Sequence, residues 1–124
     1  MTANARKSER FLALGESVIA DATFGTATGV RGSQLVRVML TDRGRLVGFK
    51  ADTGRPLFSA NLDEVATFTS SVKHPFSGLG APLVRIQLFL RDGSAIGLQA
   101  HGIGARRAKA LATALRERLT RQGE

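Results

Sequence analysis

Over the middle of the chain, apolar and polar residues alternate in short bursts, and most bursts end at a turn containing Gly or Asp. That is the pattern of an all-β domain built from many short strands. It predicts seven strands, at residues 17–24, 34–41, 45–50, 56–60, 64–72, 83–91 and 94–100. In the first, Val18, Ala20, Ala22 and Phe24 alternate with Ser17, Asp21 and Thr23, so one face is expected to be buried. Ile19 falls out of phase. In the fifth, Ala66, Phe68 and Val72 form the expected inward set, with Thr67 and Thr69 outward.

The last two strands are joined around Asp92-Gly93, a pair that often forms a two-residue turn. A two-residue turn, however, puts Ile96 and Leu98 on the same face as Arg85 and Gln87. A three-residue loop, Arg91-Asp92-Gly93, shifts the pairing by one and sets Leu88 opposite Ile96 and Ile86 opposite Leu98. Because a one-residue slip flips every side chain, the hydrophobic pattern outranks the turn preference. The expected hairpin therefore has the three-residue loop, with Gly93 at positive φ.

After residue 103 the period changes from two to 3.6. Ala108, Leu111, Ala112, Leu115 and Leu119 fall on one stripe, with Arg106, Thr113 and Glu117 opposite. A helix over 104–120 must lay that stripe on another layer, and the end of a β-barrel or sandwich is the available surface. Residues 1–13 are expected to form an N-terminal extension, with a weak signal for a short helix capped near Ser8. Residues 14–121 form the expected single domain, consistent with a chain of 124 residues.

Composition narrows the chemistry. The chain has no Cys, which removes disulfides, thiolate metal sites and Cys nucleophiles. Its two His, His74 and His101, lack neighbours at metal-ligand spacing. No G-x-S-x-G nucleophile elbow is present, so no enzyme and no cofactor are expected. The N-terminal apolar run stops at Gly15 and Glu16, too short for a signal peptide. The expected location is cytoplasmic, with membrane contact, if any, peripheral at the inner face.

The net charge is +8, which favours anionic partners. Arg outnumbers Lys 14 to 4, and the cations cluster in 31–60 and 103–124. Genome composition bias is the plain explanation; recognition of phosphate or carboxylate by arginine forks is the sharper one. Nucleic-acid binding ranks lower, because Trp and Tyr are absent and no strand interleaves aromatic with basic residues. A small-molecule ligand is not expected, since a small barrel is filled by its own side chains.

Three short motifs resemble those of a known family. Leu14-Gly15-Glu16, before the first strand, looks like the entry segment of bacterial pleckstrin-homology-like (PH-like) and GRAM-like domains. Leu40-Thr41-Asp42-Arg43-Gly44-Arg45-Leu46 resembles their strand–turn–strand signature, with Gly44 lengthening the turn. Leu62-Asp63-Glu64-Val65 resembles the segment leading into their fifth strand. The resemblance implies a mainly β fold, a seven-stranded antiparallel, partly open barrel capped by one C-terminal helix. It also implies a binding or scaffold module that docks to a protein partner or to an anionic lipid surface. The phosphoinositide site of eukaryotic members does not carry over: strand one has no basic residue and strand two has only Arg37.

Two segments are candidates for the docking surface. Gly102-Ile103-Gly104-Ala105-Arg106-Arg107 links a strand to a helix, where free N–H groups and two Arg can hold an anion. The alternative is that Gly102 and Gly104 only let the chain turn a tight corner. The loop 73–82 carries Phe76 and Leu79 between Lys73 and Arg85, an apolar tip flanked by cations. Phe76 either docks on a partner or folds back as a plug for the barrel mouth. Arg31 charges the Gly/Thr-rich loop at 25–33, where the PH-like family often binds ligands.

Overall fold

A computed structural model describes residues 12–27, 35–73 and 82–122. The strands are β1 Val18–Phe24, β2 Thr26–Ala27, β3 Val36–Thr41, β4 Arg45–Lys50, β5 Pro56–Asn61, β6 Val65–Lys73, β7 Leu83–Leu90 and β8 Ala95–His101. Short 3-10 turns, η1 (Leu62–Glu64) and η2 (Gly102–Gly104), precede β6 and the closing helix α1, Ala105–Gln122. The expected seven strands are all present; the extra element, β2, is a two-residue continuation of the first strand past Gly25.

The strands form two antiparallel four-stranded sheets, ordered β1-β3-β4-β5 and β2-β8-β7-β6. The chain passes from one sheet to the other at Gly25, whose N–H donates to the Gln99 carbonyl at 3.0 Å. On the opposite side β5 and β6 are both edges, joined only through η1, so the shell stays open there. Helix α1 lies across the inner faces, with Ala105, Ala108, Leu111, Ala112 and Leu115 in the same core as Phe24, Leu40, Ile86, Leu88 and Leu98. The result is a mainly β, partly open shell of antiparallel strands capped by one C-terminal helix, consistent with the expected PH-like fold.

The last hairpin has the three-residue loop. Leu88 pairs with Ile96, Ile86 with Leu98, and Arg85 with Gln99. The Leu90 N–H donates to the Ser94 carbonyl at 2.8 Å, and Gly93 sits at φ 93°. Asp92 closes the loop by accepting from the Ser94 N–H and hydroxyl, which holds its carboxyl below the ordinary aspartate range.

Five side chains are more exposed than the simple pattern predicts. Ile19 and Val18 are both exposed, because β1 slips register against β3 between Val18 and Ala20. Ala66 and Val72 are exposed, not inward as their alternation suggests. A bulge between Val65 and Thr67 brings Val65 into the core in place of Ala66, and Val72 lies toward the far end of an edge strand. Leu119 is half-buried against the core, at the open side of the shell. The β3–β4 pair shows the opposite deviation: Met39, Val47 and Phe49, outside the main core cluster, are no more than 3% exposed.

Candidate functional site

The three resembling motifs meet at one corner. Glu16 is buried, and its carboxylate accepts from Arg45 Nε at 3.0 Å and Nη2 at 2.6 Å. Thr41 Oγ1 and the Ala13 N–H complete its set at 2.7 and 2.8 Å. The Arg45 hydrogen bond, helped by those of Ala13 and Thr41, outweighs the desolvation of burial and holds the Glu16 pKa down to about 2. Beside it, Asp42 accepts from the Ser17 N–H and hydroxyl, and Arg43 Nη2 donates to the Leu14 carbonyl at 2.7 Å. The Leu62 N–H donates to the Gly44 carbonyl at 2.8 Å, and Arg118 reaches the Asp42 carbonyl at 3.3 Å. Charges satisfied on every side within the protein are an anchor for the chain rather than a ligand site. The anchor fixes η1 and the C-terminal half of α1.

Those two elements form the walls of an open cleft of about 610 Å³ beside β6, lined by Leu62, Asp63, Val65, Ala66, Phe68, Arg91 and Leu119. Its floor is apolar, through Val65, Phe68 and Leu119. Its polar lining is Arg91 and Asp63, and Arg116 lies beside it over Phe68. Arg91 Nε donates to the Asp63 carbonyl at 3.0 Å, which keeps the guanidinium at the cleft mouth. Arg116 crosses from the helix to β6, where its Nη2 donates to Ser70 Oγ at 2.6 Å and its guanidinium lies 5.9 Å from the Phe68 ring centre. The sequence alone does not single out Arg116 or Arg91 as parts of one site. The available signal was that Phe68 is the one aromatic residue of its strand, set among Thr67, Thr69, Ser70 and Ser71.

The candidate residues named from sequence fall elsewhere. Phe76, Leu79 and Arg31 lie outside the described residues. Lys73 and Arg85 are exposed on the second sheet. Gln99, with its amide oxygen turned toward Arg85, accepts from Arg85 Nε and Nη2 at 3.1 Å. Lys73, Leu83 and His101 form one cross-strand row, so the two ends of the 74–82 segment reach the same end of the sheet as Gly102.

At that end, Arg106 and Arg107 are exposed. Arg107 Nη1 lies 4.0 Å from Asp21 Oδ1, and Asp21 also pairs closely with Arg37. A carboxylate thus already stands beside one of the two helix-start arginines. Both glycines there have conformational reasons. Gly102 has φ 72°, and a Cβ on Gly104 would come within 3.2 Å of the Thr23 carbonyl oxygen.

Among the described residues, no group of three or more His, Cys, Asp or Glu is placed to hold a metal ion. Among them, no helix is long and apolar enough to cross a membrane. No family model and no curated protein matches the chain.

Proposed function

We propose that this chain is a non-enzymatic docking module of PH-like type, and that its partner is a protein. The observation that carries this reading is the cleft beside β6, where apolar side chains stand with Arg91 and Asp63 and Arg116 lies over the Phe68 ring. Such a mixture suits a polypeptide segment, which offers apolar and acidic side chains together. Nucleic acid fits less well: among the described side chains, Phe89 is the single aromatic one on the outer face of the second sheet, and one ring is a poor stacking platform.

An anionic membrane face is the second reading, supported by the row Lys73–Leu83–His101. That row gathers the ends of the loop bearing Phe76 and Leu79, together with Arg106 and Arg107 after Gly102, toward one end of the molecule.

Selection of a displayed random-peptide library on the immobilised protein tests the first reading. It runs beside sedimentation with phosphatidylglycerol vesicles and an oligonucleotide anisotropy assay, each at low and high salt. Protein docking predicts enriched peptides competed by one another, with vesicle and oligonucleotide binding that vanishes at high salt. Vesicle binding that survives Arg106→Glu with Arg107→Glu but is lost in Phe76→Ser, with no peptide enriched, would favour apolar membrane insertion instead.

A further inference from the structure

Among the described residues no strand pairs with the outer edge of β5 or of β6, so each edge offers backbone groups without a sheet partner. Edges of this kind are normally blunted by charge, by proline or by brevity, because they pair with any extended chain that reaches them. β5 is six residues long and opens with Pro56, which has no N–H to offer. β6 is nine residues long, and residues 65–72 carry neither a charge nor a proline. Its one bulge lies at the start, between Val65 and Thr67; from Thr67 to Lys73 it pairs with β7 in unbroken register. Its Thr, Val and Phe residues favour extended backbone.

The helix beside this edge supplies side-chain recognition. Phe68 and Leu119 offer apolar contact within the cleft. Arg116 lies over Phe68 with the neutral Ser70 hydroxyl as its hydrogen-bond partner, and no carboxylate among the described residues forms an ion pair with it. Arg91 stands at the other end of the cleft. A strand laid along β6 would present alternate side chains to these groups, so an apolar residue and an acidic residue two positions apart match Phe68 and Arg116. A second copy of the chain is the poorer occupant, because two molecules of charge +8 repel.

We infer that β6 accepts an extended acidic segment of a partner protein as an added strand. Main-chain hydrogen bonds run along residues 67–73, and Arg116 turns from Ser70 to a carboxylate of the incoming segment. This inference rests on the protein-docking reading and specifies its mode.

The test uses the whole chain and a capped Glu–Val peptide as long as β6, with Val and Glu in turn at every second position and Thr between them. Controls are the Lys–Val counterpart and a Glu–Val peptide N-methylated at alternate residues, which cannot donate along one edge. The expected result is binding of the Glu–Val peptide alone, with amide-exchange protection gained at β6. Arg116→Glu should weaken that binding about tenfold or more, and Arg116→Gln less, both with unchanged melting. Equal binding of the N-methylated peptide, or protection elsewhere than β6, overturns strand addition. So does failure of the Glu–Val peptide to bind where the display selection yields peptides that do; the docking reading then stands. If neither the Glu–Val peptide nor any displayed peptide binds, both fall. Protection of β6 in the peptide-free protein, rising with protein concentration alongside a dimer mass, overturns the acidic partner in favour of a second copy.

Discussion

Two positions show how closely single residues are fitted. Gly48 lies in β4 opposite Phe58, and a Cβ there would come within 2.1 Å of the Phe58 ring. The ring fills the space a side chain would take. Gly48→Ala should therefore destabilise the protein by about 1–3 kcal/mol, read by denaturant unfolding. In a Phe58→Ala background the same substitution should cost far less, and an undiminished cost there would show that the ring is not the obstacle.

Glu16 makes a different kind of prediction. Its folded-state pKa of about 2 lies below the ordinary glutamate value of 4.5, so the folded state favours the ionised form. The stability it supplies is fully present above about pH 4.5 and is lost as pH falls toward 2. The contribution is on the order of 3–4 kcal/mol, since each pKa unit corresponds to about 1.4 kcal/mol. In Glu16→Gln, unfolding free energy measured from neutral pH down to pH 3 should fall less steeply than in the wild type. Parallel curves would assign the acid sensitivity to other carboxylates.

At the scale of elements, the last hairpin and the helix were legible because each obeys one period over many residues. Leu88, Ile86, Ile96 and Leu98 allow a single register that buries all four. Gly93→Val, at φ 93°, should lower stability by about 1 kcal/mol or more, whereas Gly93→Asn should be better tolerated. A melting temperature equal for all three proteins would contradict the strained turn. In α1, Leu115→Ala should cost roughly 2–5 kcal/mol and Leu119→Ala clearly less, because Leu115 is fully buried and Leu119 is not. Equal costs would mean that the helix end packs more deeply than its exposure indicates.

β6 was harder to read. Its bulge reverses the phase between Val65 and Phe68, and no alternation rule survives an inserted residue. β2 was hidden for a related reason. Thr26 and Ala27 sit among glycines, and only their pairing with Gln99 and Leu98, far along the chain, makes them a strand. The cleft was illegible because its walls come from η1, β6 and the end of α1, which nothing local places together. The Glu16–Arg45 anchor was half visible. Both residues lie in the motifs that resemble PH-like domains, but the sequence does not show that those motifs touch.

For the whole molecule, the passage of the first strand from one sheet to the other at Gly25 has a kinetic consequence. β1 is hydrogen-bonded to β3, nearby in sequence, while its continuation β2 is hydrogen-bonded to β8, near the C-terminus. During synthesis, the pairing of Thr26 with Gln99 must wait until most of the chain has left the ribosome. Closing so long a loop is entropically costly, and domains dominated by such distant pairings fold on the millisecond-to-second scale. The same shared strand binds the two sheets into one cooperative unit. Unfolding should be a single transition, with protection at Thr26 and at Asp21 lost together in hydrogen exchange, and a β6–β8 hairpin made without the first strand should not persist as a folded intermediate.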